Sequence, residues 1–259
     1  MKITINGKFP NRVGAKDIAL EIIGNIGADG ALYRAVEFTG ETIDNMGVGG
    51  RMVLCNLSAE MGAKNGYAIP DRDIIEWLLD RTDEPFEVVS SDHDAKYIEE
   101  LVYDVTNLAP KVSKPHTVDN VCGVNEVAGT KIHQALLGTC TNGRIEDFHA
   151  ALDVLGGKNI HPDVRMLVFP ASREVYKEGL LDGTWLQFTQ AGAVVMNSGC
   201  GPCLGAHEGV LASGETCISS ANRNFKGRMG NPDAFIYLAS PQTVMASAIA
   251  GEIADPRNL

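Results

Sequence analysis

The chain has 259 residues, of which 44% are hydrophobic and 21% charged, enough to bury two cores of ordinary domain size. Its formal charge of −11 argues against a nucleic-acid or anionic-membrane partner. No apolar run approaches the ~20 residues of a membrane span, and Met1–Gly7 lacks the apolar stretch of a secretory signal, so a cytoplasmic location with reduced thiols is expected.

In chain order, Lys2–Asn6 reads as a strand, Lys16–Ile26 as a helix, Ala31–Phe38 as a strand, and Gly49–Ala63 and Asp71–Asp80 as helices. On a continuous helix, Asn56 and Glu60 lie four residues apart on one face. They sit among small and apolar neighbours in Cys-Asn-Leu-Ser-Ala-Glu-Met-Gly, which suits an inward carboxylate able to act as acid or base; an ordinary surface Glu is the plain alternative. Asp92, His93 and Asp94 fall in a polar stretch away from any Gly turn or strand end and read as surface.

The segment 107–120 carries Pro110 and Pro115 without a sustained period and reads as an ordered connector, placing a boundary near 112–118 between units 1–112 and 118–259. Beyond it the rhythm is that of βαβ units. Gln134–Thr139, Val164–Pro170, Ala193–Asn197, Thr216–Ala221 and Ala234–Ala239 are strands; Glu146–Leu155, Ser172–Leu181 and Pro241–Gly251 are helices. Gly156-Gly157 can end the first of these helices, Ser172 can cap the second, and Ser240-Pro241 suits the start of the third. No internal repeat or low-complexity tract interrupts the pattern.

Of six cysteines, Cys55, Cys122 and Cys217 stand alone, whereas Cys140, Cys200 and Cys203 sit in Gly-rich turns reading Gly-Thr-Cys-Thr-Asn-Gly-Arg (138–144) and Gly-Cys-Gly-Pro-Cys-Leu-Gly (199–205). Together with Asn222-Arg223-Asn224 these turns follow strands, at the edge where open parallel sheets bind ligands. Three thiolates can hold an iron–sulfur cluster and leave one iron open as a Lewis acid. Cys200-Gly-Pro-Cys203 alone also fits a thiol oxidoreductase, but that motif belongs near the start of a short domain; a zinc site would want a fourth ligand at matching spacing, which His133, His149 and His207 do not supply. Small buried apolar cysteines would not be expected in turns this polar. Asn222–Arg228 packs three cations into seven residues, suited to recognising carboxylates, or in the plainer reading a solvated basic turn.

In this order, Gly138–Arg144, Gly199–Gly205 and Asn222–Arg228 resemble the three signature segments of the aconitase superfamily of iron–sulfur hydro-lyases, and the likeness runs over essentially the whole chain, including Leu54–Ala63. The resemblance implies an α/β protein of two three-layer α/β/α domains with mainly parallel sheets. It implies that Cys140, Cys200 and Cys203 ligate a [4Fe-4S] cluster, that Asn222, Arg223 and Arg228 bind a small dicarboxylate hydroxy acid, and that Asn56 and Glu60 lie close to the cluster, Glu60 as a catalytic acid or base. The implied reaction is the dehydration and rehydration of isopropylmalate in leucine biosynthesis, with homoaconitate or 2,3-dimethylmalate as alternative substrates.

Large subunits of this family begin with a further domain that carries active-site His and Asp residues in a Gly-Asp-Ser-His type motif, and the resemblance places Lys2–Gly7 at the strand opening the second domain. A truncated form, a gene fragment or a naturally split subunit would each give this pattern. The family's small subunit, which carries the swivelling domain, supplies a catalytic Ser and another Arg. The chain is therefore expected to need that subunit, and a separate N-terminal chain where the subunit is split, and to be inactive alone. A non-catalytic assembly module is the rival from another class.

Overall fold

The computed structural model describes residues 1–259. Its elements in order are β1 (Lys2–Asn6), α1 (Ala15–Ile26), β2 (Ala35–Thr39), α2 (Glu41–Asp44), α3 (Val48–Leu57), β3 (Asn65–Ala68), α4 (Arg72–Leu79), β4 (Glu100–Asp104), β5 (Lys111–Ser113) and β6 (Val121–Gly123). They continue with β7 (Gln134–Gly138), α5 (Ile145–Leu155), β8 (Arg165–Phe169), α6 (Arg173–Leu181), α7 (Thr184–Gln190), β9 (Val194–Val195), β10 (Thr216–Ser219), β11 (Phe235–Ala239) and α8 (Pro241–Ala250). The fold is α/β with mainly parallel sheets. A four-stranded, wholly parallel sheet has the order β3-β2-β1-β4, and a seven-stranded sheet the order β6-β5-β11-β10-β7-β8-β9, with only β5 and β6 antiparallel to their neighbours.

The apolar runs of the larger sheet are buried on both faces, as parallel strands flanked by covering layers must be. Ala135, Leu137, Met166 and Val168 face a cluster closed by Phe148, Trp185, Phe188 and Val244 from α5, α7 and α8. The alternate residues Leu136, Leu167 and Phe169 turn the other way, into a second cluster that also contains Ile3, Ile5, Ile18, Ile22, Phe38 and Leu54 of the smaller sheet and its helices. Each fully buried Ile, Leu or Phe contributes roughly 1.5–3 kcal/mol of transfer free energy.

α1 fastens the two sheets together. Asp17 accepts from the backbone N–H of Gly14 at 2.9 Å, closing the helix start, and its other oxygen accepts at 2.9 Å from the N–H of Lys111, the first residue of β5. The connector expected over 107–120 is therefore partly sheet: Lys111–Ser113 pairs with both β6 and β11.

Other local expectations meet corrections with local causes. The strand expected over 31–38 starts only at Ala35, because residues 29–33 form a turn, and that expected over 193–197 shortens to two residues. The helix expected over 49–63 stops at Leu57 and passes into a 3₁₀ turn, Ser58–Met61, so Asn56 and Glu60 do not share a helical face. Asp92, His93 and Asp94 are exposed, as read from the sequence. Ser172 caps α6 by accepting from the N–H of Val175 at 3.2 Å, and Gly156 ends α5. Ser240 precedes Pro241 at the start of α8 but bonds the Thr243 hydroxyl, not a backbone N–H. No helix is long and apolar enough to cross a membrane.

Candidate active site

Strands β7 to β11 run parallel, so the loops that follow β7, β9 and β10 emerge at one edge of the sheet. Cys140 stands two residues past β7, Cys200 opens the 3₁₀ turn Gly201–Leu204 beyond β9, and Asn222 stands three residues past β10. Cys140 and Cys200 are exposed and Cys203 is buried; all three are free thiols.

Phe169, at the end of β8, is the strut between the two cysteine loops. Its carbonyl accepts from the N–H of Thr139 at 2.8 Å, and it lies where a Cβ on Gly138 would stand, at 2.0 Å, with Gly138 at φ +112°. Its ring lies equally hard against Gly201, whose Cβ would come within 2.5 Å. Backbone can approach this closely only where no side chain intervenes. Thr139 itself holds φ +72°, which turns the chain sharply into Cys140.

The third segment closes on the other two. Asn222 Nδ2 donates toward Cys140 Sγ at 3.8 Å, and the Arg228 carbonyl lies beside Gly205 of the second cysteine turn. Arg223 Nε donates to Glu60 Oε1 at 2.7 Å, joining a nearly buried carboxylate from the smaller sheet's unit to a guanidinium that is 42% exposed. Asn56 reaches the same rim by another route, its amide bonding the Thr141 hydroxyl next to Cys140. Asn56 and Asn222 thus reach the first cysteine turn, and Glu60 reaches Arg223, although Asn56 and Glu60 arrive from a helix end and a 3₁₀ turn instead of one helical face. Asn224 is not a rim residue: it is buried, and its amide bonds Ser113 Oγ and the carbonyls of Lys114 and Thr117.

Seven buried side-chain polar atoms lack a protein partner, and five of them, Thr139 Oγ1, Asn142 Oδ1, Arg144 Nε, Asn222 Oδ1 and Arg228 Nε, belong to the first cysteine segment and, Asn224 aside, to the 222–228 segment. Buried polar groups are normally paired, so unmet capacity concentrated here marks a place built for a ligand. No three His, Cys, Asp or Glu side chains converge on one point as a mononuclear zinc site requires. In a cubane cluster each thiolate binds its own iron, so the cysteines need only ring a common space. A pocket of about 260 Å³ opens beside Cys200, lined also by Phe169, Asn197, Leu204 and His207.

Two charged residues that the sequence reading passed over stand behind the rim. Asp147, at the start of α5, accepts from Asn142 Nδ2 and from the Arg144 N–H, each at 3.0 Å, fixing the first cysteine loop. Lys16 is 1% exposed, and its Nζ donates to the carbonyls of Ala221 at 2.8 Å and Ser220 at 3.2 Å.

Burial pushes the Asp147 carboxyl up to about 6 from 3.8, against the hydrogen bonds that favour its ionised form. Between roughly pH 4 and 6 the folded chain therefore holds a proton that the unfolded chain has released. This group's contribution to stability is greatest below that window and falls as pH rises through it. Urea denaturation of wild type and Asp147→Asn at pH 4.5 and pH 7 should show the wild-type advantage shrinking by about 1–3 kcal/mol on going to pH 7. A difference independent of pH would refute this assignment.

The site defines a class. The chain belongs to the aconitase family: the family model described as "Aconitase family (aconitate hydratase)" matches residues 1–131 and 123–251. The family implies an iron–sulfur cluster in general terms. Among curated relatives, the chain is 52% identical over 257 residues, 99% of its own length and 60% of the other's, to a probable methanogen homoaconitase large subunit of Methanothermobacter thermautotrophicus. It is 50% identical over 256 residues (99% and 61%) to 3-isopropylmalate dehydratase large subunit 1 of Methanopyrus kandleri, and 45% identical over 259 residues (100% and 62%) to the 3-isopropylmalate dehydratase large subunit of Heliobacterium modesticaldum. The chain spans about three-fifths of the length of these relatives. A solved structure, the holo-form of Thermococcus kodakaraensis aconitase X, aligns over 86% of this chain and 49% of its own at 10% identity and TM-score 0.44, a likeness too loose to add to the family assignment.

Proposed function

We propose that this chain forms the cluster-bearing part of the large subunit of an iron–sulfur hydro-lyase that interconverts 2- and 3-isopropylmalate by removing and re-adding water. The observation that supports the reading is the contact of the Asn222 amide with Cys140, together with the Glu60–Arg223 pair in the same segment. Cys140, Cys200 and Cys203 would ligate a [4Fe-4S] cluster, which when bound supplies a Lewis-acidic iron for the substrate hydroxyl and a carboxylate. The donor set suits such a cluster: three free thiols, two of them exposed and one buried, with an amide donating to the first sulfur.

This chain's own residues would supply part of the remaining machinery. Arg223 spends its Nε on Glu60 and keeps its remaining N–H groups for a substrate carboxylate, while Arg228 Nε has no protein partner to satisfy. Asn222, with an unpaired Oδ1, and Asn56, bonded to Thr141, fix the polar wall around the reacting carbon. Glu60, oriented by Arg223, would take the carbon-bound proton and return it after water has moved to the neighbouring carbon, an isomerisation without redox change.

We read the chain as two units, 1–112 and 118–259, in a cytoplasmic assembly with a small subunit bearing the swivelling domain and, where the large subunit is split, a separate N-terminal chain. The naming of relatives as large subunits supports the need for a small one. Homoaconitate is the second reading for the substrate, favoured by the relative named homoaconitase at 52% identity.

Anaerobic reconstitution with iron and sulfide tests the site. We expect the full chain to take up iron and sulfide in cubane stoichiometry and Cys140→Ser to lose most of both. Zinc uptake, or no metal in either protein, would remove the reading. With the assembled small subunit present, turnover of isopropylmalate against homoaconitate then decides the substrate.

A further inference from the structure

The side chain in this molecule least explained by the fold alone is Lys16. It lies in the first turn of α1, where the helix dipole is already positive and a cation is disfavoured. It is 1% exposed, and a buried ammonium without an anionic partner costs several kcal/mol. Its hydrogen bonds go only to the carbonyls of Ser220 and Ala221. An apolar side chain would fill that volume without the charge. The negative or ionisable groups that act on it most strongly are, in falling order, Cys203, Glu60, Asp147 and Cys140. Two of these are proposed cluster ligands, one the proposed acid–base residue, and one the anchor of the first cysteine loop. Burial draws the ammonium down to about 8, so it keeps its charge at neutral pH.

From this geometry we infer that Lys16 is a positioning residue of the cluster site: a fixed cation beneath the rim that offsets the negative charge of the three thiolates and the cluster they would hold, and pins the 220–221 turn that aims Asn222 and Arg223. The inference rests on the proposed cluster reading. Its physical logic is that a buried charge is tolerable when an opposite charge completes the site, and that a nearby cation favours the more negative, reduced state of a cluster. The hydrogen bonds to Ser220 and Ala221 act through position, holding the loop whose Asn222 donates to Cys140 and whose Arg223 donates to Glu60.

The test compares wild type with Lys16→Met and Lys16→Gln in the full chain after anaerobic reconstitution, reading iron and sulfide per chain, the midpoint potential of the cluster and the thermal unfolding of the iron-free protein. Lys16→Gln keeps a donor for the two carbonyls and loses the charge. We expect both variants to show a midpoint shifted to a more negative potential and faster iron loss in air, with the iron-free proteins folded and melting no lower than wild type. A folded Lys16→Gln with the wild-type midpoint and iron retention would overturn the inference while leaving the cluster reading intact. Wild type that takes up no cluster would overturn both.

Discussion

Gly138→Ala should destabilise the fold severely. The new methyl would stand 2.0 Å from the Phe169 carbonyl oxygen, with the Phe169 backbone carbon at 2.8 Å and nitrogen at 3.1 Å, so what it meets is backbone and no side chain can swing away to relieve it. The residue holds φ +112°, a conformation that costs an L-residue about 1–3 kcal/mol before any overlap is counted. Relief requires prising β7 from β8 at their last paired residues, Gly138 and Phe169, and Thr139 would lose its bond to the same carbonyl. The total should exceed ~4 kcal/mol, a large share of the 5–15 kcal/mol that holds a domain folded. Expression and thermal unfolding of the variant measure it; a melting temperature within a few degrees of wild type would contradict the packing described for this turn.

Glu60→Gln in the assembled enzyme should lower kcat by about 10²–10⁴ while leaving iron and sulfide content unchanged. The amide is nearly isosteric and can still accept from Arg223 Nε, so the rim keeps its geometry, but the carboxylate that would move a proton is gone. The signature sought is a fall in kcat with little change in KM, as expected when an interaction made in the transition state is removed. Equal loss through KM would instead assign Glu60 to holding Arg223 for substrate binding, and loss of iron would assign it to the structure of the rim.

The second half of the chain was readable because its strands are short, continuous apolar runs punctuated by Gly, Ser and Pro, and because two of the motif segments carry rare residue combinations. What stayed hidden depends on partners far along the chain. β5 and β6 have three residues each, too few for any period, and exist because β11 lies alongside. β4, Glu-Leu-Val-Tyr-Asp, carries three consecutive apolar residues with no polar–apolar alternation and follows a long polar stretch, and its pairing with β1 makes it a strand. α7, Thr-Trp-Leu-Gln-Phe-Thr-Gln, is poor in helix formers and is held by Trp185 and Phe188 in the core. The candidate site was legible as a set of residue types; its geometry was not. A lysine in the first turn of a helix looks like surface, and nothing local to it reveals acceptors 204 and 205 positions away.

The apolar cluster shared by the two sheets bears on how the site works. Because Ile3, Ile5 and Leu54 pack into the same interior as Leu136, Leu167 and Phe169, and Asp17 ties α1 to β5, the halves form one body and not the two jaws of a clamshell. Glu60 and Arg223, though they come from opposite sides of that seam, are already paired at 2.7 Å, so on the proposed reading little reorganisation would be left for the reaction. On the proposed reading, a substrate would enter from the side on which Cys140 and Cys200 are exposed, and a cover over it would come from the small subunit proposed as partner.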